Sequence, residues 1–98
     1  MYVGFARYDF LVPASGSLKD KRQVLRHVVG SLRAKFNASI AEVDHQDLRQ
    51  RGAIGVSCVS ESSFHARKML QEIERSIRSQ YAIEVLSVES EVVKPDDG

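Results

Sequence analysis

The sequence predicts an α+β sandwich, a four-stranded antiparallel sheet with two helices on one face. Three observations carry that prediction. Two stretches repeat their apolar residues at helical spacing, four alternate at strand spacing, and the order is βαββαβ. Ninety-eight residues, 43% hydrophobic and 28% charged, suit a single core, expected over residues 1–94 with a frayed tail at 95–98.

Tyr2 to Val12 reads as the first strand. Tyr2, Gly4, Ala6, Tyr8, Phe10 and Val12 share a small or apolar face that belongs against the helices. The other face is apolar at Val3, Phe5 and Leu11 and polar at Arg7 and Asp9. Pro13 to Gly16 breaks the strand, and Ser17 is the expected N-cap of the first helix, with Asp20 in its first turn.

That helix, Ser17 to Phe36, shows an apolar face at Leu18, Leu25, Val29, Leu32 and Phe36. Lys19, Arg22, Arg26 and Arg33 form a second stripe within about 60° of one another, just beside the first. Gly30 interrupts the helix, which suggests a close approach or crowding by a strand, and Asn37 suits a left-handed stop.

Ala38 to Val43 is a short second strand, 44–52 a polar connection, and Ala53 to Ser60 a third strand with Ile54, Val56 and Cys58 on one face. Ser60 to Ser63 offers caps for a second helix reaching about Gln80, with Ala66, Leu70, Ile73 and Ile77 as its apolar stripe. Ile83 to Val93 closes the sheet. Right-handed crossovers place the first and third strands at the centre, the ferredoxin-like arrangement.

Charge is unevenly spread. Residues 15–36 carry six Lys/Arg against one Asp, whereas 82–98 carry one Lys against five Asp/Glu, although the whole chain is only +1. No apolar run reaches the roughly 18 residues of a membrane helix, and the start MYVGFARYDF lacks a basic, cleavable signal. A single Cys58 excludes an internal disulfide and reads as a buried structural thiol. A cytoplasmic protein is expected.

The stretches YVGFARYDFLVPASGSLKDKRQVL, FNASIAEV and HQDLRQRGAIGVSCVS resemble the YlxP-like family of small bacterial proteins. The most specific pieces are Ser17 to Arg22, Ala41-Glu42-Val43, and Gln46-Asp47-Leu48 with Gln50-Arg51. The resemblance implies the ferredoxin-like fold, a bacterial cytoplasmic setting and a link with RNA or ribosome-related proteins. It supplies no catalytic residues. Relatives commonly carry an aromatic residue where this chain has Arg49.

The functional expectation is a non-enzymatic domain bound to RNA or a ribonucleoprotein, without cofactor or metal. Lys19, Lys21, Arg22, Arg26 and Arg33, with Arg49 and Arg51, are the expected phosphate contacts. Base stacking of the RNA-recognition-motif type is not expected, because Ala53 and Gly55 occupy the third-strand positions of its aromatics. The Asp44-His45-Gln46-Asp47 loop reads as a polar turn rather than a metal site, and Glu42 as a salt-bridge partner for an arginine. No spacing matches a catalytic constellation. The alternative is a homodimeric ligand-sensing or protein-interaction module, pairing through Val3, Phe5 and Leu11 on the open sheet face.

Overall fold

Alternation and helical periodicity resolve into six elements in a computed structural model that describes residues 1–96. They are β1 (Tyr2–Leu11), α1 (Leu18–Lys35), β2 (Ser39–Asp44), β3 (Arg51–Ser60), α2 (Ser63–Arg78) and β4 (Glu84–Val93). The sheet order is β2-β3-β1-β4, antiparallel throughout. The long strands β1 and β3 therefore occupy the centre, and β2 and β4 form the two edges.

One face of the sheet meets the helices. Ala6, Tyr8, Phe10 and Val12 pack there with Ile54, Val56 and Cys58, beneath Leu25, Val28 and Leu32 of α1 and Leu70, Ile73 and Ile77 of α2. Tyr8 is fully buried, and its hydroxyl donates to the Leu70 carbonyl at 3.3 Å. Burial pushes that phenol up to about 12. Cys58 is buried too, and desolvation raises its thiol above the ordinary value.

Both helices start where their serines allow. Ser17 Oγ accepts from the Asp20 amide and Ser62 Oγ from the His65 amide, each at 3.1 Å. In α2 the buried residues are the four expected, Ala66, Leu70, Ile73 and Ile77. In α1 the buried face is Lys21, Leu25, Val28 and Leu32, so it is rotated from the expected stripe, with Val29 and Phe36 on its margin.

Two local expectations change. A Cβ built on Gly30 meets nothing within 4 Å, so no strand or backbone crowds that position. Asn37 is not left-handed; α1 ends through an extended Phe36, whose N–H bonds the Leu32 carbonyl. The tail expected at 95–98 includes residues 97 and 98, which lie outside the described residues. Asp96 is described, and its carboxylate accepts from the N-terminal ammonium at 3.1 Å.

A register shift between Glu42 and Asp44 positions the site. Residues two apart in a strand normally share a face, but the extra residue Val43 makes a bulge against β3. Glu42, before the bulge, stays on the helix side with Ile40, 3.6 Å from the Lys21 ammonium. Asp44 reaches the open side, 2.9 Å from Arg7.

Candidate nucleic-acid interface and the polar cluster of the open face

The α1 stripe lies beside the edge strand β2. Arg22, Arg26 and Arg33 line a shallow groove there, with Leu25, Ala41 and Glu42 among its walls. Lys19, Arg22 and Arg26 are exposed, and no carboxylate among the described residues lies within 4 Å of any of them. The acidic strand β4 is at the opposite edge of the sheet, which explains why Glu84, Glu89 and Glu91 do not neutralise the stripe.

Arg33 departs from this pattern. Its Nε and one terminal nitrogen both donate to the Ile40 carbonyl, at 3.1 and 2.6 Å. That grip fixes the guanidinium on the edge strand, at the end of the groove. Arg49 is exposed and approaches the Gly16 carbonyl at 3.5 Å, next to the start of α1.

Lys21 requires a correction. It is 1% exposed and contributes nothing to the surface stripe. Its ammonium donates to the carbonyls of His45 (2.6 Å), Arg51 (3.1 Å) and Gln46 (3.4 Å) and faces Glu42 at 3.6 Å. A buried ammonium with three carbonyls and a carboxylate is a solvated charge whose solvent is protein. It also corrects the partner of Glu42, which is this lysine rather than an arginine.

Arg51 lies on the far side of the sheet from the stripe. Together with Arg7, Asp9, Asp44 and His45 it makes a polar cluster on the open face. Arg7 bonds Asp9 through two nitrogens, at 2.8 and 3.1 Å, and reaches Asp44 at 2.9 Å. His45 Nε2 lies 3.2 Å from Asp9, and an Arg51 terminal nitrogen 3.8 Å from the same carboxylate oxygen. The Arg7 bonds hold both Asp9 and Asp44 below the usual carboxylate range and raise Arg7 in turn.

His45 has φ of 62°, the one non-glycine residue with positive φ among those described. A histidine tolerates this region better than a bulky or β-branched residue. Here the Asp44 side chain accepts from the His45 amide at 2.7 Å while Lys21 holds the His45 carbonyl, so the turn is gripped from both sides. Among the described residues no three His, Cys, Asp or Glu side chains converge as metal ligands.

The cluster joins β1 to the two ends of the loop between β2 and β3. The sequence shows each of the five as a polar residue, with Arg7 and Asp9 two apart on one strand face, but nothing in it brings them together. The apolar candidates also fall on the open face. Phe5 is 42% exposed, and Val3 and Leu11 are half-buried. Phe5 is the one aromatic that β1 and β3 turn to that side, so a two-strand stacking platform is not built.

A four-stranded antiparallel sheet in this order, covered on one face by two helices, is the ferredoxin-like class. Two solved structures share its course. One is a de novo designed protein with a ferredoxin fold, at TM-score 0.53 and 11% identity, covering 100% of this chain and 90% of that one. The other is a variant of SnoaB, a cofactor-independent oxygenase from Streptomyces nogalater, at TM-score 0.50 and 12% identity, covering 99% and 95%. At such identities the likeness concerns the fold.

Residues 3–90 match the family described as "Protein of unknown function (DUF503)", and the chain belongs to that family. It is 39% identical over 71 residues to the "Uncharacterized protein YlxP" of Bacillus subtilis (strain 168), covering 72% of this chain and 77% of that protein. No helix of the described residues is long and apolar enough to cross a membrane.

Proposed function

We propose that this chain is a non-enzymatic domain that binds RNA, free or within a ribonucleoprotein, through the phosphate backbone. The observation that carries the reading is the triplet Lys19, Arg22 and Arg26, exposed on one helix flank without an acidic partner among the described residues. Arg33 closes the groove and Arg49 lengthens the basic surface past the start of α1. Arg51 and Lys21 are left out of the contact set. Cations so placed release counterions from a polyphosphate chain with little regard to sequence.

A mobility-shift titration against cellular RNA at several salt concentrations tests this. Binding should weaken steeply with salt, and Arg22→Ala/Arg26→Ala should reduce the slope of log K against log salt by about 1.4 for a single strand. Absence of binding at low salt would overturn the proposal, as would an unchanged slope. Pull-down from extract with and without nuclease separates RNA from protein partners.

A second reading, self-association through the open sheet face, is favoured by an apolar row running across three strands. Val59, Val3 and Val93 are register neighbours there, Phe5 stands in the next row, and Val59 is 67% exposed. Sedimentation across a range of concentrations tests it, and a strictly monomeric protein removes it.

A further inference from the structure

Two neighbouring rows of the open face differ in side-chain size from one side to the other, and the difference specifies how a second copy would fit. Register partners give successive rows in the order β2, β3, β1, β4. One row is Ser39, Ser57, Phe5 and Glu91; the next is Ala41, Gly55, Arg7 and Glu89. In both rows β2 and β3 supply small residues, and β1 and β4 supply long ones. At Gly55 the space over the sheet is filled from the side by the bulged Val43, whose Cγ1 lies 2.8 Å from where a Cβ would stand.

We infer that this face pairs with the same face of a second copy about a two-fold axis running along the strands between β1 and β3. The inference rests on the self-association reading and adds the partner and the seating. That axis lays β1 over the partner's β3 and β4 over the partner's β2. Phe5 then covers the partner's Ser57, Glu91 the partner's Ser39 and Glu89 the partner's Ala41, each contact occurring twice. Val3 meets the partner's Val59, which extends the apolar row across the interface.

The other simple seatings are worse. An axis through β1 stacks Arg7 on the partner's Arg7 and Asp9 on the partner's Asp9, placing like charges together. An axis across the strands lays the valine row onto the end of the sheet that carries Arg51 and Glu84, so Val3 and Val59 lose the apolar contact that the axis along the strands gives them. Size is also sufficient. Strand rise and spacing give a face of about 30 by 19 Å, near 600 Å² per copy. The pair therefore reaches about 1,200 Å², the lower bound for a stable association.

Cross-linking distinguishes the seating from the pairing. Within one chain Glu89 and Ala41 stand at opposite edges of the sheet, about 14 Å apart across three strand spacings. A chain carrying both Glu89→Cys and Ala41→Cys is treated with a bismaleimide shorter than that separation. The buried Cys58 is controlled by treating the unaltered protein. Expected are a dimer by sedimentation, its loss in Phe5→Ser, covalent dimer from the double variant, and none from Glu89→Cys alone. A dimer that is not captured by this pair, or one captured by Glu89→Cys alone, overturns the two-fold axis while leaving self-association standing. A monomer at every concentration overturns both.

Discussion

The Lys21 ammonium sits 2.6 Å from the carbonyl of His45, tying a buried helix residue to the one left-handed turn among the described non-glycine residues. One side chain thereby connects α1, the edge strand β2 through Glu42, and the loop into β3 through the carbonyls of Gln46 and Arg51. The contact of His45 with Asp9 on the open face, at 3.2 Å, starts from that turn.

Replacing Lys21 with methionine keeps the unbranched stem, one atom shorter, and removes the charge. Three carbonyls and the Glu42 carboxylate lose their partner, so unfolding in denaturant should become easier by about 3 kcal/mol. Adding Glu42→Gln should cost less in the Lys21→Met background than in the unaltered protein, since the carboxylate no longer has a cation to lose. Equal costs in the two backgrounds would argue that the pair is uncoupled.

Acid should weaken the fold through Asp9 and Asp44. Arg7 lowers both carboxylates in the folded chain, so as pH falls the unfolded chain takes up protons first. Their contribution is complete above the unfolded value of about 3.9 and is lost as pH falls through the lower folded values. Thermal melts between neutral pH and pH 3 should show Arg7→Gln less stable than the unaltered protein at neutral pH, with the gap closing towards acid. Parallel profiles would show that Arg7 does not set these two carboxylates.

How far the sequence was legible follows from which residues carried the signal. Helix α2 could be oriented because all four of its buried residues are apolar and correctly spaced. In helix α1 the apolar spacing points to a displaced face, because a lysine holds one of the four buried positions and hydropathy alone assigns a lysine to solvent. The cations at 19, 22 and 26 remained where periodicity put them. The cluster around Asp9 was hidden for a different reason. It needs the Val43 bulge to bring Asp44 across the sheet, and a bulge is a property of paired strands that a single strand does not display.

The glycines separate two causes of an unusual residue, and opposite outcomes are expected for the same substitution. Gly30 lies exposed inside α1 with open space where a methyl group would stand, so Gly30→Ala should stabilise by about 1 kcal/mol through backbone entropy and helix propensity. At Gly52 an added Cβ would stand 2.6 Å from Cε2 and 2.9 Å from Cζ of Phe10, a fully buried ring enclosed by the core. Gly52→Ala must displace that ring or bend β3, and should destabilise by about 1–3 kcal/mol. Denaturant midpoints read with unchanged slopes decide both. If Gly52→Ala were neutral, Phe10 would have to possess a second place in the core, and Phe10→Leu in the Gly52→Ala background, by relieving the contact, would then recover nothing.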